Sequence, residues 1–150
     1  MPRLDAARLA AWRDLQRVVL EINRLIDDDL QREWAVPLVS FEVLAALREL
    51  DGRARPQDVA AWMRIPPSSL SRRLDRLEEE GWVRRHRDVD PEDHRAVEVE
   101  LTRRGRALWR EMNVSYRRAV QRRFAGVLDD TKIAGVADTN QVLMDRPAGG

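Results

Sequence analysis

The chain of 150 residues contains no cysteine. That excludes disulfides, thiolate metal centres and cysteine redox sensing. Lysine is almost missing too: Lys132 is the only one among 27 basic residues, so the positive charge is nearly all arginine. Arginine forks onto phosphates and guanine edges, although the same bias also arises from genome composition. No apolar run is long enough to cross a bilayer. An acid appears as early as Asp5, which is not the pattern of a secretory signal. A soluble, cytoplasmic protein is expected. There is no glycine-rich phosphate loop, no Ser-His-Asp set and no paired-carboxylate arrangement, so neither an enzyme nor a cofactor is expected.

The 27 basic residues face 26 acidic ones, for a formal net charge of +1. That total points to no partner, but the distribution does. Residues 64–87 hold seven arginines (64, 72, 73, 76, 84, 85 and 87) against four acids (75, 78, 79 and 80). A basic patch on a near-neutral chain is the electrostatic footprint of phosphate contact.

Apolar periodicity organises the chain mainly into helices. Leu15, Val18, Ile22, Leu25 and Ile26 recur at helical steps within a long helix over 4–32, which Pro37 ends. Ser40 is a candidate N-cap for a helix over 41–50, closed by Asp51-Gly52. Pro56 opens a short helix over 56–63. After the turn at Ile65–Ser68, a further helix runs from about 67 to 80, and Gly81 stops it. Helix, short turn, helix is the layout of a helix-turn-helix. The period then changes. Val83–Val89 and Ala96–Leu101 read as two short strands around a polar tip, Asp88–Asp93, making a β-hairpin. Thr102 can cap a helix reaching 126, and Asp129 or Asp130 can start a last one. The tail Pro147–Gly150 is expected to be loose.

The helix over 67–80 carries the functional signal. At about 100° per residue, Leu70, Leu74 and Leu77 share one edge. Ser68, Ser69, Arg72 and Arg76 fall on the opposite half, with Arg73 to one side. Two hydroxyls and two guanidinium groups suit the major groove, where arginine can fork onto guanine O6 and N7. Glu78, Glu79 and Glu80 crowd the C-terminal end, where they would repel DNA, so the N-terminal half should enter the groove. A solvated Arg/Ser face with no partner is the plain alternative. The basic hairpin that follows, with Arg84, Arg85 and Arg87, argues against it, because at least two of those arginines should face solvent.

The run PSSLSRRLDRLEEEGWV over 67–83 resembles the recognition helix of the MarR family of bacterial transcription regulators. DPEDHRAV over 90–97, with Leu101-Thr102 and Gly105, resembles that family's wing and the start of its next helix. The resemblance implies DNA contacts by Ser68, Ser69, Ser71 and Arg72 on the helix; from the helical wheel, Arg76 on the outward face and Arg73 beside it, toward a phosphate, are expected to join them. It also implies that Arg95 of the wing enters a minor groove with Asp93 orienting it, and Arg87 belongs to the same basic surface. Homodimers joined through the first and last helices are implied, as is a small aromatic effector. Arg73 and Trp82 stand where the family often has smaller apolar residues, and His94 replaces a frequent arginine.

Of the five tryptophans, Trp12, Trp34 and Trp109 could border an effector pocket or simply pack. His86 and His94, with acids between them, read as part of a solvated or DNA-facing hairpin rather than a metal site. The expected fold class is mainly α with a small β-hairpin. It comprises a winged helix-turn-helix lobe over about 38–101 and dimerisation helices over about 4–32 and 103–145, all in one MarR-like domain. The expected function is sequence-specific binding of double-stranded DNA by a homodimeric repressor on a pseudo-palindromic operator, without membrane association. A winged-helix protein-interaction module that does not bind DNA is the alternative.

Overall fold

A computed structural model of the chain describes residues 3–87 and 89–146. Asp88 of the hairpin tip and the tail Pro147–Gly150 lie outside the described residues. The elements run α1 (Ala6–Trp34), α2 (Leu38–Glu49), β1 (Arg53–Ala54), α3 (Pro56–Met63), α4 (Pro67–Glu79), β2 (Val83–Arg87), β3 (Val97–Leu101), α5 (Arg103–Arg123), a 3-10 turn (Ala125–Val127) and α6 (Asp130–Met144). The fold is mainly helical with one small antiparallel sheet. Contacts divide the chain into two compact units, one of residues 27–116 and one of residues 1–26 with 117–150.

The 27–116 unit is built around a leucine and valine core. Leu44 and Leu47 of α2, Val59 of α3 and Leu70, Leu74 and Leu77 of α4 are buried with Val83, Val99 and Leu101 of the sheet. The sheet has three strands in the order β1-β3-β2, one more than the expected hairpin. Arg53 pairs with Glu100 and Ala54 with Val99, while Val83 to Arg87 pair with Leu101 to Val97. Two residues are too few to display a period-two pattern, which is why β1 is silent in the sequence.

Helix α2 begins three residues earlier than expected. Its N-cap is Pro37, and Ser40 is buried inside the first turn. The cap comes instead from tertiary structure: the Leu38 backbone N–H donates to Asp27 Oδ1 at 2.8 Å. A helix needs its first N–H groups satisfied, and a carboxylate from elsewhere in the chain does this as well as a local serine. Helix α4 does end at Gly81 (φ +76). Trp82 N–H donates to the Leu77 carbonyl and Gly81 N–H to that of Glu78, the paired bonds of a Schellman stop. Thr102 caps α5 as expected, accepting from Gly105 N–H at 3.1 Å while donating to the Gly81 carbonyl at 2.7 Å. One hydroxyl therefore ties the end of α4 to the start of α5.

In the other unit, α1 is capped by Asp5, whose Oδ1 accepts from Arg8 N–H at 2.8 Å. Helix α5 stops at Arg123 rather than near 126, giving way to a 3-10 turn around Gly126. Glycine is a poor helix former, and a Cβ at this position would meet the Gln121 carbonyl oxygen at 2.8 Å. Asp129 caps α6 through Lys132 N–H, and hydrogen bonds from Lys132 hold its carboxyl below the usual carboxylate range. Trp12, Leu15, Val18 and Val19 of α1 and Val136 and Leu143 of α6 remain exposed, with Val18 at 53%.

Candidate functional site

The turn between α3 and α4 is made by chain chemistry that permits little else. Arg64 closes α3 in the left-handed conformation (φ 55), and Pro66 and Pro67 then fix the backbone into the first turn of α4. No side chain caps α4, so the hydroxyls of Ser68 and Ser69 are exposed at its start. Leu70, Leu74 and Leu77 are each 1% exposed and anchor the inner edge. Ser71, Arg72 and Arg76 are exposed on the other side, and a shallow groove there is lined by Ser69, Arg72, Arg73, Arg76 and two acids, Asp75 and Glu79.

Arg73 is arranged differently. Its side chain turns toward α2, where Nη1 donates to the buried Ser40 Oγ at 3.4 Å. Packing against α2 accounts for an arginine where a smaller apolar residue was expected.

The main feature missed by sequence reading is Arg85. In register with Val99, it shares the inner face of the sheet with Val83, and its side chain is only 14% exposed. Its guanidinium bridges Asp75 at 2.7 Å and Glu78 at 3.2 Å, and it also reaches the Ser71 carbonyl at 3.4 Å. Its backbone N–H donates to Glu78 Oε2 at 2.9 Å. Strand β2 is thus bolted to α4, and two of the acids of α4 are paired with Arg85 while their own side chains stay partly exposed. The positive charge of Arg72 and Arg76 is left facing outward. The signal was present: strict alternation from Val83 puts residue 85 inward. Arg84 and Arg87 are exposed, as expected for two of the three hairpin arginines.

Replacing Arg85 by alanine should lower stability by about 1–2 kcal/mol, since its charge-assisted bonds are partly solvent-screened. Urea denaturation measures this. Lysine should restore only part of the loss, because an ammonium cannot fork onto two carboxylates.

The hairpin tip is organised by short carboxylate turns. Asp90 Oδ1 accepts from Glu92 N–H at 2.9 Å, and Asp93 Oδ1 accepts from Arg95 N–H at 3.0 Å. Asp93 therefore holds the Arg95 backbone, and the Arg95 side chain is exposed. Arg55 Nη2 lies 3.6 Å from Asp90 Oδ2 and links the tip to the start of α3.

The three tryptophans considered for a pocket separate. Trp34 donates from Nε1 to Ser115 Oγ at 3.0 Å, which in turn donates to Glu33, so it is engaged in packing. Trp12 is exposed on α1. Trp109 has the Arg48 guanidinium 4.1 Å from its ring centroid, and it walls a cavity among α2, α3 and α5.

Three helices, a short turn before a serine- and arginine-faced fourth, and an antiparallel wing fastened to it define a winged helix-turn-helix protein. The MarR family model matches residues 36–97 of the chain. The chain is 34% identical over 109 residues to the HTH-type transcriptional regulator PecS of Dickeya dadantii, covering 71% of this chain and 64% of PecS. The chain thus spans a little under two thirds of that relative's length. Among solved structures it resembles a MarR family transcriptional regulator from Streptomyces coelicolor in complex with DNA. The identity is 27%, the TM-score is 0.83, and 99% of this chain and 94% of that one are covered. It also resembles CouR from Rhodococcus jostii bound to p-coumaroyl-CoA, at 27% identity and a TM-score of 0.71, with 91% and 92% covered.

Proposed function

We propose that the protein is a cytoplasmic, homodimeric transcription regulator that represses by binding a pseudo-palindromic operator. Each copy places α4 in a major groove and its wing in the adjacent minor groove. The observation that carries this reading is the outward face of α4. Ser68, Ser69, Arg72 and Arg76 are exposed there, while the nearby acids Asp75 and Glu78 are tied to Arg85. Ser71, Arg87 and Arg95 complete the DNA-facing set, with Asp93 fixing the Arg95 backbone, and Arg73, drawn toward α2, borders it. The described site offers no nucleophile or acid–base pair, and the reading is not enzymatic. The solved relative in complex with DNA supports it, and the one bound to p-coumaroyl-CoA supports release by a small-molecule effector.

The helices over about 4–32 and 103–145 serve dimerisation in this reading. The exposed apolar residues Trp12, Leu15, Val18 and Val19 of α1 and Val136 and Leu143 of α6 are its support, since so many large apolar side chains left in water mark an interaction site. Leu15→Asp is expected to weaken the dimer about thirtyfold or more, because an unpaired carboxylate buried in an apolar interface costs roughly 2 kcal/mol or more. Sedimentation at micromolar concentration reads the outcome, and an unchanged dimer would contradict the assignment.

Binding to duplex DNA as a function of salt tests the function itself. Steep loss of affinity between low and moderate salt is the expected result, as counterions are released from the neutralised phosphates. No binding to any duplex at low salt would favour a protein-interaction module instead.

A further inference from the structure

A cavity of about 380 Å³ opens within the 27–116 unit, between α2, the end of α3 and α5. Trp62, Trp109 and Tyr116 provide ring surface, and Trp62 is 55% exposed at the wall. Glu42, Glu49 and Asn113 supply the polar groups, and no basic side chain lines the space. Arg48 is the closest compensation. It lies 3.7 Å from Glu49 and over the Trp109 ring, yet it lines a separate cavity together with Arg103, Arg106 and Arg110. Glu42 has no basic partner among the described residues.

Partial desolvation pushes the Glu42 carboxyl above its usual range although the residue stays exposed at the cavity edge, and the like charge of Asp27 adds to this. Burial raises the Tyr116 phenol as well, with Glu42 contributing again. Both effects run in the direction expected around a carboxylate, Glu42, that lacks a counter-ion.

We infer that this cavity takes a planar aromatic cation, its ring against Trp62, Trp109 and Tyr116 and its ammonium on Glu42. Aromatic walls attract a cation through their ring faces, and the carboxylate supplies the directed, charged partner. Glu42 repels an aromatic carboxylate of equal size, whereas Glu49 is paired with Arg48. Small-molecule sites are concave and mostly apolar, with a few placed polar groups, and this cavity has that composition. The inference names the effector class for the regulator described above and rests on that reading for its regulatory consequence. The binding itself does not depend on it.

Calorimetric titration of the whole chain without DNA tests the assignment, using naphthalen-2-ylmethylamine and 2-naphthoate as probes. The amine should bind at least tenfold more tightly than the carboxylate. Glu42→Gln should cut amine affinity at least tenfold while its thermal melting stays that of the parent, and Trp62→Ala should weaken the amine too. Equal binding of the two probes, preference for the carboxylate, no heat from the amine at millimolar concentration, or a Glu42→Gln variant that binds the amine like the parent would each overturn it. Duplex binding by the ligand-free chain is measured separately, so failure of the cavity assignment and failure of the regulator reading are told apart.

Discussion

Arg72→Ala and Arg95→Ala are each expected to weaken operator binding by about 1–3 kcal/mol, or roughly five- to 150-fold at fixed salt. Both guanidinium groups are exposed and make no hydrogen bond or ion pair with another described residue. Their removal should therefore leave folding unchanged, and the loss reports contact with DNA alone. The two variants should differ in kind. Arg72 lies on the helix face assigned to the major groove, where a fork onto guanine reads sequence. Its loss should relax discrimination at one base pair of each half-site. Arg95 sits on the wing, where a narrow minor groove attracts it electrostatically. Its loss should weaken binding most on sites with A·T-rich flanks. Fluorescence anisotropy on matched operators separates the two effects. Parent-like affinity in both variants would remove the site assignment.

Leu74→Ala should destabilise the protein by about 2–5 kcal/mol. Leu74 is 1% exposed and sits between Leu70 and Leu77 in the cluster that joins α2, α3, α4 and the sheet. The truncation opens a cavity where neighbours from four elements meet, and little local collapse can fill it. Small domains have only about 5–15 kcal/mol of stability to lose, so the shift in urea midpoint should be large at an unchanged slope. Operator binding should fall with the folded fraction, unlike the arginine variants, whose midpoints should not move.

Much of this was legible in the sequence, and the exceptions share a cause. The leucine edge of α4, its stop at Gly81 and the caps at Thr102 and Asp129 all depend on residues within a few positions, and the structure has them where periodicity and capping chemistry put them. The start of α2 does not, because its first N–H is satisfied by Asp27, eleven residues away. Strand β1 exists only because Arg53 and Ala54 find β3 about 45 residues later, and nothing in two residues announces that. Arg85 counts as one basic residue among seven, although its side chain is turned inward and spent on Asp75 and Glu78. The charge count over 64–87 hides which arginines face outward. Similarly, Trp34 and Trp109 look alike in the sequence. Only their partners, Ser115 for one and an open cavity for the other, separate packing from a candidate ligand wall.

Selection of bound sequences from a random duplex pool by the purified chain tests the central claim most directly. The expected result is enrichment of a pseudo-palindrome whose half-sites lie about one helical turn apart, as a two-fold dimer of winged helix-turn-helix readers requires. Recovery of a pool without a shared sequence, or of a single unrepeated half-site, would contradict it.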